Sequence, residues 1–158
     1  MQTYIIPVDT QVVVAFGAAV LTADRRDNMN WKYKIDVANQ NVFSDIEKNY
    51  GIVISEELRA LILVANAATP SKYNFMLGTT ERVLGAILSF NEGETDTDTV
   101  YTALSTMEDK SLVPFEIDPC GNYICYSNKD NKAVFWDHET SGVSSTEKGL
   151  DEFLDSLY

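Results

Sequence analysis

Between Leu112 and Glu139 the chain reads LVPFEIDPCGNYICYSNKDNKAVFWDHE, three apolar runs separated by two reversals, and no other stretch constrains the fold as tightly. Val113–Ile117 predicts a first strand that runs into Asp118-Pro119-Cys120-Gly121. Asp at the first turn position, Pro at the second and Gly at the fourth is the chemistry of a type I turn. Asn122–Ser127 predicts a second strand without polar alternation. Tyr123 and Cys125 share one face and Ile124 and Tyr126 the other, so both faces are expected to be covered. Asn128-Lys129-Asp130-Asn131 supplies a polar reversal into a third strand, Ala133–Trp136. The expected centre of the molecule is therefore an antiparallel meander.

The same residues carry a family resemblance. LVPFEIDPCGNYICYS followed by AVFWDHE resembles the C-terminal signature of the SUKH superfamily, which is also named after a fungal regulator of cell-wall glucan synthesis. The resemblance rests on Pro114, Phe115, Asp118, Gly121, Asn122, Tyr123, Trp136, Asp137, His138 and Glu139, and implies that their role is structural. It reaches back to about Phe43. It implies an α+β domain over residues 42–158, with a mixed or antiparallel sheet and helices packed mainly on one side, preceded by an N-terminal extension over residues 1–41. Most bacterial members are immunity proteins that bind and neutralise toxins of polymorphic, interbacterial-competition systems, and many such toxins are basic nucleases. The resemblance thus implies a cytoplasmic, non-enzymatic immunity protein whose partner is a cognate toxin domain. The alternative from another class is a regulatory adaptor in cell-wall synthesis signalling. Such adaptors carry long flexible extensions, and this chain has no low-complexity tract. A small-molecule module using an aromatic sheet face is a third reading; aromatics at strand positions are more ordinarily core.

At 158 residues and 45% hydrophobic, the chain suits one ordinary domain that can bury a core without disulfides or metals. The two cysteines, Cys120 and Cys125, and the single His138 fall short of a structural zinc site, and packed, reduced thiols are expected. No cofactor or metal is expected. The net charge of −12 comes from 24 acidic and 12 basic residues, which argues against direct binding to nucleic acid or an anionic membrane surface and favours basic partners. In residues 1–41, Asp9, Asp24, Asp27 and Asp36 balance Arg25, Arg26, Lys32 and Lys34, so the whole excess lies in residues 42–158.

The apolar runs Tyr4–Ile6 and Val12–Leu21 are too short to span a bilayer. The first basic residue, Arg25, follows them, so neither a secretory signal nor an anchor is expected. Residues 1–30 read as an accessory strand pair or as an extension foreign to the domain. Trp31, Tyr33, Ile35 and Val37 alternate with Lys32, Lys34 and Asp36, which predicts a strand over 31–37, either an edge of the meander or a lead-in packed by itself.

Phe43, Ile46 and Tyr50 at i, i+3, i+7 predict a helix stopped by Gly51. Ser55 followed by Glu56 and Glu57 predicts a second helix start, with Leu58, Leu61, Ile62 and Ala65 as its apolar stripe. Asn66-Ala67-Ala68-Thr69-Pro70 matches the family's usual Asn-Gly exit only loosely. Tyr73–Leu77 and Arg82–Phe90 predict strands about the turn Gly78-Thr79-Thr80, with Gly85 as a bend or bulge. Thr97 or Asp98 is expected to cap a helix bearing Val100, Leu104 and Met107. Ser144 and Glu147 have capping-box spacing before Leu150, Phe153, Leu154 and Leu157, the stripe of a closing helix.

For catalysis the tempting group is Asp137-His138-Glu139. Neighbours on a strand point to opposite faces, and no nucleophile elbow or reactive-cysteine motif accompanies them. His138 reads instead as a structural residue at a strand end, bonding a backbone carbonyl. Glu92, Glu94, Asp96 and Asp98 alternate along one loop without the glycine or terminal glutamate of an EF-hand, and there is no phosphate-cradling glycine loop. Family members share the meander yet face different toxins, so specificity is expected on the free surface. The candidate toxin-binding residues are Glu92, Glu94, Asp96 and Asp98, with Asp130, Asp137 and Glu139 added if the sheet brings them together.

Overall fold

The computed structural model describes residues 29–158, so the readings of residues 1–28 lie outside the described residues. In chain order the elements begin with β1 (Trp31–Lys32), α1 (Val42–Tyr50), α2 (Glu56–Ala65), β2 (Thr69–Pro70), β3 (Asn74–Leu77), β4 (Thr80–Val83) and β5 (Ala86–Ile87). They continue with α3 (Val100–Thr106), β6 (Leu112–Ile117), β7 (Tyr123–Ser127), β8 (Lys132–Trp136), β9 (Val143–Ser145) and α4 (Leu150–Asp155). The architecture is α+β, with antiparallel strand pairing throughout these elements.

The meander is present as β6–β7–β8, widened by β5 and β9 into a five-stranded sheet in the order β5-β6-β7-β8-β9. Every residue of the central strand β7 is buried, as its lack of polar alternation requires. The pairing rows place Glu116, Ile124 and Phe135 side by side on one face. Tyr126, also on that face, donates its hydroxyl to Glu57 of α2 at 3.4 Å, and the Arg82 guanidinium lies 4.5 Å from the Phe135 ring centroid. On the opposite face Tyr123 and Trp136 stack with centroids 5.7 Å apart, and Trp136 lines a concavity with Thr106 and Asp109 beyond the end of α3. One contiguous core includes both Trp136 and Phe153.

The helix signals hold at the first two helices. Gly51 takes φ 68°, where a side chain is strained, and its N–H donates to the Glu47 carbonyl at 2.9 Å. The Ser55 hydroxyl accepts from the Leu58 N–H at 3.2 Å, and Leu58, Leu61, Ile62 and Ala65 are all buried. Arg59 ties the two helices together: its Nη2 reaches Glu47 Oε1 at 2.7 Å and its Nε donates to the Ile54 carbonyl at 3.0 Å. Glu47 Oε2 accepts from the Ile54 N–H at 2.8 Å, and that bond above all holds its carboxyl below the usual carboxylate range.

Several local expectations need correction. The alternation over 31–37 yields a strand of only Trp31–Lys32, paired with Thr69–Pro70 and not with the meander. Tyr33 turns to φ 62° and is 82% exposed, which ends the strand. Beyond it, residues 33–38 are held by Asn66 and Asn91, whose side-chain amides bond Ile35, Asp36 and Ala38. Ala67 occupies φ 62° at the exit of α2, a left-handed conformation that glycine adopts with less strain. The run Arg82–Phe90 is not one strand. β3 and β4 form a separate hairpin with Leu77 opposite Thr80, leaving Gly78-Thr79 as the turn, and the chain then leaves to pair as β5 with β6. The cap of α3 is Thr99, which accepts from the Thr102 N–H at 3.3 Å, and not Thr97 or Asp98. Ser144 lies in β9 opposite Phe135, and Glu147 takes φ 63°, so no capping box forms; Gly149 precedes α4 instead. The predicted stripe of α4 is nevertheless buried in full at Leu150, Phe153, Leu154 and Leu157.

Gly85 is where the chain passes from the β3–β4 hairpin to the five-stranded sheet. Its N–H donates to the Ile117 carbonyl at 2.9 Å, and a Cβ on Gly85 would stand 2.7 Å from that same oxygen. Backbone cannot rotate away as a flexible side chain can. Gly85→Ala is therefore expected to displace β5 and to lower the unfolding free energy by about 2 kcal/mol in a urea titration. A change below about 0.5 kcal/mol would show that β5 accommodates the methyl group.

Candidate functional site: an acidic surface around the β5–α3 loop

The signature residues form one hydrogen-bonded chain. Asp118 Oδ1 accepts from the Cys120 N–H at 2.9 Å and the Asn122 N–H at 2.8 Å, closing the turn between β6 and β7, while Oδ2 takes the Asn122 Nδ2 at 3.0 Å. Asn122 Oδ1 then accepts from the His138 N–H at 3.1 Å and lies 2.7 Å from His138 Nδ1. Because an amide oxygen only accepts, Nδ1 carries the proton. His138 thus bonds a side-chain oxygen, not the backbone carbonyl expected of it. Asp137 Oδ1 accepts from the N–H groups of Glu139 at 2.8 Å and Thr140 at 3.3 Å, shaping the turn into β9. Asp118, Asn122, His138 and Asp137 thus direct hydrogen bonds to the ends of the meander. Pro114 and Phe115 are buried in β6, Gly121 donates its N–H to Asp118, and Tyr123 packs on Trp136.

The cysteines divide. Cys125 is buried in β7, which raises its thiol pKa well above the usual thiol range and leaves it inert; Cys120 lies exposed in the turn, contrary to the expectation of two packed thiols. No group of three or more His, Cys, Asp or Glu among the described residues is arranged to hold a metal ion.

The candidate acidic residues do not form one patch. Asp130 sits in the turn before β8, and Asp137 and Glu139 follow its end, so the length of the strand, about 17 Å, keeps them apart. Asp130 is also flanked by Lys129 and Lys132, which cancels the charge of its turn. The loop between β5 and α3 keeps its four carboxylates together. Glu92, Asp96 and Asp98 are exposed and Glu94 is half-buried. None of the four engages a cation or a hydrogen-bond donor through its carboxylate among the described residues.

The fold adds acids that their sequence positions did not mark. Asp45, on the first turn of α1, lines a cavity of about 170 Å³ together with Glu92, Tyr50 and Tyr101. Glu108 and Asp109, just past α3, line a second concavity of about 340 Å³ against Trp136, Ser141 and Val143. The Asp109 carboxyl is held below its ordinary range by the Ser111 hydroxyl, at 2.6 Å, and then by the Ser111 N–H. Both acid groups lie far in sequence from the surfaces they join, so no local pattern could have announced them.

No helix among the described residues is long and apolar enough to cross a membrane. A comparison with curated proteins finds no significant match. A family model described as the SMI1 / KNR4 family (SUKH-1) matches residues 38–156, which takes in every described helix and the whole five-stranded sheet. With the fold and its signature turn in place over that span, the chain belongs to the SMI1 / KNR4 family (SUKH-1).

Proposed function

We propose that this protein is a non-catalytic immunity protein that binds a basic toxin domain in the producing cell and blocks its active site or the approach of its substrate. The observation that carries this reading is the β5–α3 loop, with its four carboxylates grouped at the surface and no cation among the described residues to neutralise them. Family membership supports a protein partner, and the bonds by which Asp118, Asn122 and His138 tie the ends of the meander together support a structural role for those signature residues. Such a surface steers a cationic partner toward it and repels nucleic acid, so an immunity protein of this kind would cover a nuclease without competing for its substrate.

The direct test takes the toxin domain encoded beside the gene and follows its association with the full chain. Changing Glu92, Glu94, Asp96 and Asp98 together to Ser is expected to slow association about tenfold at low salt, to flatten the salt dependence, and to leave the melting temperature nearly unchanged. An unchanged rate and salt slope would remove this loop from the interface. Failure of the neighbouring domain to bind the unaltered chain would overturn the immunity reading itself.

A further inference from the structure

The cavity beside α1 has a composition that its carboxylates alone do not describe. Val42 and Ile46 form an apolar floor, and the rings of Tyr50 and Tyr101 stand 6.2 Å apart between centroids at 54° to each other. The Tyr101 hydroxyl donates to the Phe90 carbonyl at 2.9 Å, which pins that ring in place. Asp45 and Glu92 reach the same cavity from α1 and from the acidic loop, and neither carboxylate has a hydrogen-bonding or ionic partner among the described residues. Burial chiefly, then the charge of Glu92, the neighbouring Tyr50 and the charge of Asp45, push the Tyr101 hydroxyl up to about 12, as expected of a partly dry space at negative potential. At about 170 Å³ the space is smaller than the roughly 300–1,000 Å³ of ordinary small-molecule sites.

We propose that this cleft receives one arginine side chain of a partner protein, its methylene stem on Val42 and Ile46, its guanidinium against the two tyrosine rings and between Asp45 and Glu92. Each part of the cleft answers one part of that side chain. Apolar floor suits the stem, aromatic faces attract a weakly hydrated planar cation, and the carboxylates offer its fork of donors an acceptor on either side. Asn39 and Asn49 also line the cleft, but their amides are neutral, so an anion would meet two carboxylates with no positive charge opposing them, and an uncharged chain would leave both carboxylates without a counter-charge. The proposal rests on the reading of this chain as a binder of basic partners and gives that partner an anchor residue.

The experiment is a titration of the full ¹⁵N-labelled chain with N-acetyl-arginine amide, followed by amide chemical shifts, with N-acetyl-citrulline amide as the uncharged isostere. Saturable shifts are expected at Asp45, Tyr50, Glu92 and Tyr101 with the arginine amide and not with the citrulline amide. The double variant Asp45→Asn with Glu92→Gln should weaken that binding about five- to tenfold. A charge-matched pair outside the cleft, Glu56→Gln with Glu152→Gln, should change it less than about twofold. Absence of saturable shifts at these four residues, equal binding of both amides, or equal losses in both double variants would overturn the proposal. Toxin association sensitive to the loop serines without arginine-amide binding would sink the cleft and keep the proposed function; arginine-amide binding in a chain that no toxin domain binds would do the reverse.

Discussion

Phe153→Ala is expected to lower the unfolding free energy by about 4–5 kcal/mol, and Trp136→Ala by about 3 kcal/mol, when both are measured by urea titration. The two belong to one core but sit differently in it. Phe153 is 1% exposed and meets Phe75 edge-on at 5.3 Å and 75°, so it joins α4 to the β3–β4 hairpin. The chain end reinforces that junction, because Tyr158 and Asn74 exchange backbone hydrogen bonds at 2.9 and 3.1 Å. Truncating Phe153 leaves a closed cavity that rigid neighbours cannot fill. Trp136 is 7% exposed at the lip of the concavity shared with Glu108 and Asp109, where water can enter part of the space left behind. Because their ring partners differ, the two losses should add to within about 0.5 kcal/mol in the double variant. Losses under about 1 kcal/mol for both would show that neither ring carries the core.

The meander was legible because its pattern is local. Apolar runs, the Asp118-Pro119-Cys120-Gly121 turn and the polar reversal at 128–131 each state their geometry within a few residues. Gly51 and Ser55 stop and start helices for the same reason. The misreadings fall where two local signals competed. Trp31–Val37 alternates like a strand, yet Tyr33 pairs with no strand among the described residues, and the amides of Asn66 and Asn91 bond the backbone beyond it instead. Ser144 and Glu147 have the spacing of a capping box, but β8 offers Ser144 a ladder, and pairing with Phe135 prevails over the cap. The candidate site was legible only as a charged loop. Which carboxylates meet depends on α1 and the loop lining one cavity, and on β8 holding Asp130 away from Asp137, neither of which any short window contains.

Glu116 is the residue that the sequence concealed most completely, and replacing it should have the most informative effect. Strict alternation along β6 would place Glu116 with Pro114 and opposite to Val113. The register shift between Pro114 and Glu116 reverses that: Val113 lies opposite Tyr126, Pro114 opposite Cys125, and Glu116 opposite Ile124. The carboxyl group is thereby turned onto the Ile124 face, with Ile87 opposite it on the other side. It is 0% exposed, and neither of its oxygens has a hydrogen-bond partner among the described residues. Arg82, on the same face over Phe135, makes no hydrogen bond to it. Burial alone pushes the Glu116 carboxyl up to about 8 from an ordinary 4.5. The folded state therefore holds a proton that the unfolded chain releases above 4.5. The stability associated with this protonated group is fully present below 4.5 and is lost as pH rises to about 8. Each unit of pKa difference corresponds to about 1.4 kcal/mol, so the loss across that window is on the order of 4 kcal/mol. Glu116→Leu removes both the titration and the unpaired oxygens. It is expected to unfold with little pH dependence between 5 and 8 beyond what the other groups contribute, and to exceed the unaltered protein in stability by several kcal/mol at pH 8. Glu116→Gln separates the two causes. It should also lose the slope, while the buried amide keeps a penalty of about 1–3 kcal/mol that leucine does not have. Urea titrations of the three proteins at pH 5, 6.5 and 8 decide the matter. Parallel stability profiles for the unaltered chain and both variants would mean that Glu116 reaches a partner or water in solution and stays ionised inside the fold.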